Sequence, residues 1–133
     1  MAGKLPLLNP ENTHFWTGGR DGKLMIHHCD DCQRYFHPPS PICAHCGSLT
    51  VAPAAVSGRG RIISYTVNHQ RWVPDLSVPY VVAIIGLVED PTLRLVSNVR
   101  GCAPEAVHID MSVEVEFEKH EDIWLPLFRK ADS

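Results

Sequence analysis

Cys29, Cys32, Cys43 and Cys46 form a C-x2-C-x10-C-x2-C array, the strongest constraint on what this 133-residue chain can fold into. Each Cys-x-x-Cys pair turns the backbone so that two thiolates face one point. Two pairs together supply the tetrahedral sulfur set that zinc takes at about 2.3 Å per bond. The ten residues between the pairs suffice for a tight hairpin. They do not make a finger helix, because Pro38, Pro39 and Pro41 remove amide donors and restrict the residues before them. The segment is therefore expected to be a zinc ribbon, in which the metal replaces a core too large for so short a stretch to build. Four thiolates leave no coordination position for water, which argues for a structural ion and against metal-assisted hydrolysis. With four cysteines at ligand spacing, the neighbouring His27, His28, His37 and His45 read as knuckle or surface residues. Iron suits such a site too, but nothing else in the chain points to electron transfer.

The flanking sequence divides into three parts. In the first, residues 1–24, Asn9 is placed to cap a short helix that Pro10 opens and that carries Phe15 and Trp16. The helix should end at the glycines before Asp21-Gly22, and Leu24 and Ile26 then alternate as a strand entering the first cysteine pair. Residues 25–50 are the ribbon, with Tyr35-Phe36 extended. Residues 51–133 change character. Ser57-Gly58-Arg59-Gly60 reads as a turn and residues 61–70 (RIISYTVNHQ) as a long strand. Residues 71–79 read as an exposed loop and 79–88 (PYVVAIIGLV) as a buried strand. A turn at Glu89-Asp90-Pro91 leads to a hairpin partner over 93–99. Val113, Val115 and Phe117 alternate with Glu114, Glu116 and Glu118 as a strand with one wet face, and residues 123–128 add a last apolar segment. The fold class is mainly β: a short N-terminal helical arm, a zinc ribbon and a C-terminal OB-fold barrel.

Charge narrows the function. The formal net charge is −3, whereas a protein that lives on phosphate backbones carries a basic excess. Tyr65, Trp72 and Arg61 imitate a base-stacking platform, so an OB-fold nucleic-acid module is an alternative; the carboxylates Glu114, Glu116, Glu118, Glu121 and Asp122 argue against it. The N-terminus lacks a signal-peptide pattern and no run of about 18 apolar residues occurs, so no membrane association and a cytoplasmic location are expected. The odd fifth cysteine also fits a reducing compartment.

In order along the chain, several motifs resemble one family. They are Phe15-Trp16 before Gly22-Lys23-Leu24; the four cysteines with Cys46-Gly47-Ser48; Gly58-Arg59-Gly60 leading into Ser64-Tyr65-Thr66-Val67-Asn68-His69; Pro79-Tyr80-Val81-Val82-Ala83; Gly101; Met111 before the Val113 strand; and Leu125-Pro126-Leu127-Phe128. Over about residues 11–129 the chain is similar to stand-alone proteins that join a helical arm, a rubredoxin-like zinc ribbon and an OB-fold. The resemblance implies an accessory subunit that docks on a thiolase-superfamily enzyme and helps shape its acyl-CoA site. Such partners make or break carbon-carbon bonds by Claisen-type condensation, acyl transfer or retro-aldol cleavage, and the catalytic groups belong to them. A two-plus-two assembly would follow from a dimeric thiolase. Cofactors are then structural zinc and a CoA thioester as ligand or shared substrate.

Within that picture Arg59, Arg61 and Arg71 are candidates for nucleotide phosphates or for a solvated strand face. Tyr65, Trp72 and Tyr80 are candidates for a flat apolar surface toward adenine or the partner, with core packing as the other reading of the two tyrosines. Phe15 and Trp16 on a short helix must cover their own ribbon or another chain; a partner is expected. Independent catalysis is a further alternative, with Cys102 after Arg100-Gly101 as acyl acceptor or a Ser64, His69 and Asp75 set. Ser64 and His69 stand five apart on one expected strand, on opposite faces, which disfavours a triad.

Overall fold

The computed structural model describes residues 8–10, 12–69 and 79–131. A five-residue helix, α1 (Thr13–Thr17), runs into a 3-10 turn (Gly18–Asp21) that closes on Gly22 in the left-handed region. Ahead of α1, the Oδ1 of Asn9 accepts the amide of Asn12 and the Oδ1 of Asn12 accepts the amide of Asn9, both at 2.8 Å. This reciprocal pair resembles a capping box, but the helix itself begins at Thr13 with Asn12 as its N-cap, three residues later than the start at Pro10 that the sequence implied.

β1 (Leu24–Cys29) enters the cysteine array, β2 (Tyr35–Phe36) returns from it, and β3 (Val51–Val56) lies along the other side of β1. The three form an antiparallel sheet in the order β2-β1-β3. β3 pairs with β1 from Leu24↔Val56 to Cys29↔Val51, so the ribbon's sheet continues six residues beyond Thr50.

The barrel consists of β4 (Arg59–Asn68), β5 (Tyr80–Leu87), β6 (Asp90–Arg100), β7 (Ser112–His120) and β8 (Ile123–Lys130). It closes in the order β4-β5-β6-β8-β7, with β4 and β7 bonded at Arg59↔Glu114 to Arg61↔Ser112 and β6 and β8 parallel. Five strands in this order, closed by a parallel contact between the third and fifth, are the OB-fold. Two expected turns are shorter than the sequence implied. Arg59 and Gly60 already belong to β4, and Asp90 and Pro91 to β6, because ladder pairing with Glu114, Val113 and Leu87 extends the strands into them. The expected loop at 71–79 lies almost wholly outside the described residues.

Phe128, Ile62, Ile85, Leu87 and Val113 fill the barrel, and one cluster continues from them to Leu24 and Ile26 of β1 and Phe15 of α1. The arm is seated by contact too close for a side chain: a Cβ on buried Gly19 would stand 2.6 Å from the Phe117 ring and 2.7 Å from Cβ of Trp124. The Ser57-Gly58 turn has a double requirement, since Gly58 has φ +79 and a Cβ there would meet Cγ1 of Val115 at 2.3 Å. Among the described residues no helix is long and apolar enough to cross a membrane.

Candidate functional site

The four cysteines sit on two matching knuckles. In the first, the amide of Cys29 donates to Arg34 O and that of Gln33 to Cys29 O; in the second, Cys43 donates to Ser48 O and Gly47 to Cys43 O. Gln33 and Gly47, each four residues after its first cysteine, take positive φ (60° and 76°) to close these turns. The result is a sulfur cage: Cys29 Sγ and Cys46 Sγ are 3.6 Å apart, Cys32 Sγ and Cys43 Sγ are 3.7 Å apart, and all four lie within 4.8 Å of one another. A tetrahedron with bonds of about 2.3 Å has edges of about 3.8 Å, so the set fits zinc. Amides of Cys32 and His45 donate to Cys29 Sγ and Cys43 Sγ at 3.5 and 3.3 Å, the polarity that stabilises thiolates. Burial and hydrogen bonds to Cys43 and Cys29 push Cys32 up to about 12. Burial opposes ionisation of Cys43 as well, but the amides of Cys46 and His45 and the neighbouring thiols bring it down to about 6. Sulfurs so unequal and so close share protons, which a divalent cation would replace.

The histidines have other positions. His45 Nε2 meets Tyr35 O at 3.1 Å, His28 stands edge-on to Tyr35 with ring centroids 4.8 Å apart, and His27 packs against Phe36. His37 lies under the arm, 4.8 Å from the Phe15 ring, which in turn meets Trp16 edge-to-face at 4.7 Å. Burial, and secondarily the nearby His27, lower His37 to about 4, so the imidazole is neutral at neutral pH.

This stack of rings is one wall of a cleft of about 710 Å³ between arm, ribbon and barrel. Pro38 and Pro39 of the ribbon loop extend that wall. Its floor is the outer surface of the barrel: Tyr80 and Val82 of β5, residues Leu95 to Asn98 of β6, and Leu125, Pro126 and Leu127 of β8. Trp16 also packs on the Ile123, Leu125 and Leu127 cluster, and Val96 is 73% exposed, a large apolar side chain left open in the cleft. Tyr80 is held by its β4 partner, with Asn68 Nδ2 donating to the phenol oxygen at 2.7 Å.

Of the sequence candidates, Phe15, Trp16 and Tyr80 therefore converge on one surface. Phe15 is mostly spent on the chain's own core, at 8% exposed. Arg59 and Arg61 are exposed on the opening of β4, and Tyr65 is exposed farther along it opposite Ala83; none lines the cleft. Arg71, Trp72 and Asp75 lie outside the described residues. No hydrogen bond joins Ser64 to His69 among the described residues, and Cys102 is half-buried against the core. The acidic row of β7 is neutralised locally. Arg100 pairs with Glu116 at 2.5 Å and with Glu118, Arg129 pairs with Glu114 at 2.6 Å, and His120 pairs with Glu118. Sequence reasoning missed Val96, His37 and the two prolines as lining. The available signal was the outward register of Val82 and Val96 on strands whose alternate residues are buried.

A zinc ribbon packed on an OB-fold through a helical arm defines the class, and comparison with known proteins agrees. The rubredoxin-like zinc ribbon domain of ChsH2 matches residues 16–52 and the C-terminal OB-fold domain of ChsH2 matches residues 54–118. The chain belongs to this ChsH2-type DUF35 family. It is similar to a solved structure described as the Ltp2-ChsH2(DUF35) aldolase, with a TM-score of 0.85 and 35% identity over 96% of this chain and all of that one. It is 36% identical over 127 residues to a probable enoyl-CoA hydratase alpha subunit of Thermomonospora curvata, covering 95% of this chain but only 39% of that protein's length. It is also 36% identical over 96 residues, 68% of each chain, to a DUF35 domain-containing scaffold protein of Methanothermobacter thermautotrophicus. Relatives are thus named as subunits or scaffolds, which implies a partner subunit.

Proposed function

We propose that this chain is a non-catalytic accessory subunit that seats on a thiolase-superfamily enzyme and helps form its acyl-CoA site, the carbon-carbon bond chemistry being done by the partner's residues. The observation that carries the reading is the apolar cleft, open at Val96 and Trp16, in a chain whose structural neighbour is named as one part of an aldolase. A mostly apolar recess of about 710 Å³ is of the size that small-molecule sites take. The enoyl-CoA named for the Thermomonospora relative supports a CoA thioester as the shared substrate. In this role the ribbon, held by zinc on Cys29, Cys32, Cys43 and Cys46, fixes the angle between arm and barrel. The cleft contributes a dry wall that excludes water from the acyl group. The closed thiolate set supplies rigidity and no open coordination position.

Size-exclusion chromatography of the zinc-loaded chain mixed with a thiolase-type enzyme tests the assembly. Co-elution as one heteromeric species at micromolar concentration is expected, and a two-plus-two mass for a dimeric partner; separate elution would overturn the reading.

A further inference from the structure

Among the described residues around the cleft, Ser97 and Tyr80 carry hydroxyl groups, and their protons have different fates. Ser97 Oγ donates to Pro126 O at 2.7 Å. The Tyr80 oxygen is instead an acceptor, taking the amide hydrogen of Asn68 at 2.7 Å. An amide nitrogen only donates, so this bond fixes the phenol while leaving its own O–H unspent, and no acceptor among the described residues takes it. Of the other polar groups nearby, Asn98 Nδ2 donates to Val81 O at 2.9 Å, Asn9 and Asn12 cap each other, and the His37 ring packs against Phe15. Among the described residues, no Lys, Arg, Asp or Glu lines the recess. A phosphate or carboxylate entering it would therefore give up water without finding a cation. A neutral, largely hydrocarbon group would lose nothing, and the volume of about 710 Å³ lies within the range of small-molecule sites.

The geometry points to the cleft as a binding site for a neutral acyl group, its hydrocarbon laid over Val82, Val96, Leu125 and Leu127 and its carbonyl oxygen accepting the Tyr80 hydroxyl. This rests on the reading of the chain as an acyl-CoA accessory subunit and divides the ligand: the acyl end lies here, and the polyphosphate end lies outside the cleft. Tyr80 is the specificity residue, because a phenol held by Asn68 rewards an acceptor at one position and gives nothing to a plain chain.

Trp16 forms part of the wall, so its fluorescence reports occupancy, and a Trp16→Phe variant assigns the signal against Trp72 and Trp124. The zinc-loaded full chain is titrated with S-ethyl octanethioate, with the matching ethyl octyl sulfide that lacks only the carbonyl, and with free coenzyme A. Saturable quenching by the thioester is expected, with about two- to tenfold preference over the sulfide, the range that one neutral hydrogen bond commands. Tyr80→Phe should abolish that preference while leaving sulfide binding unchanged, and Val96→Glu, at an exposed position, should weaken both. No quenching by either probe, a preference that survives Tyr80→Phe, or coenzyme A binding as tightly as the thioester would overturn the assignment. Occupancy that appears only on adding the thiolase-type enzyme, with no response to thioester, would also overturn it and give the cleft to the partner protein. In that last outcome the heteromeric complex still forms, so loss of the acyl site and loss of the accessory role are told apart.

Discussion

At the scale of single residues, what the chain needs from its sequence is most exacting where backbone meets side chain. Gly19 is the clearest case, because the arm's 3-10 turn approaches β7 and β8 so closely that a Cβ would overlap Phe117 and Trp124. Gly19→Ala should destabilise the fold by about 1–3 kcal/mol, the cost of overpacking an ordered contact, seen as a lower urea midpoint with an unchanged slope. No local pattern announces that requirement, since the glycine is one of a pair that reads simply as a helix end. The four cysteines are the opposite: their spacing is local, the chemistry admits few arrangements, and the sequence identified the whole set. Arg59, Arg61 and Tyr65 fall between. Charge and aromaticity made them candidates, but which face of β4 meets which neighbour is decided by the ladder irregularity between Ile62 and Ser64 and by barrel closure, and neither can be read from residue type.

At the scale of elements, the strands were legible from β-branched runs and alternation, and their ends were not. Pairing partners far along the chain decide whether Arg59 or Asp90 is turn or ladder. Among the contacts that seat the arm, one is titratable. His37 of the ribbon loop packs on Phe15, and its imidazole is lowered from the usual value to about 4, mainly by burial. The folded chain therefore holds His37 neutral, while the unfolded chain takes up a proton near pH 6.5. Between about pH 6.5 and 4 the unfolded state binds more protons, so the contribution is complete above 6.5 and is lost as pH falls through that window, by up to about 3 kcal/mol. The urea stability of the zinc-loaded chain should fall from pH 7 to pH 5 more steeply than that of His37→Asn. Equal slopes for the two proteins would show that the imidazole does not sense the burial of the arm.

At the scale of the whole molecule, zinc connects parts that the sequence showed only separately. The main core fills the barrel with Phe128, Ile62, Ile85, Leu87 and Val113, whereas the separate cysteine cluster gathers, among the described residues, Phe36, Val51 and the thiols. Metal removal should thus release the ribbon and leave the barrel standing. What is lost with the ribbon is one wall of the cleft, because His37, Pro38 and Pro39 are positioned by β2 and the first knuckle, and Phe15 is seated on His37. Chelation, or Cys43→Ser, should therefore abolish co-elution with a thiolase-type enzyme while the barrel still unfolds cooperatively in urea. Metal content and the Trp16 signal would be measured on the same samples, so that a failure to assemble is traced to an opened cleft and not to a collapsed chain. Because the four sulfurs act as one site, re-adding zinc to the chelated wild type should restore assembly and re-adding it to Cys43→Ser should not. Normal complex formation by a verified metal-free chain would show that the barrel and arm alone carry the interface.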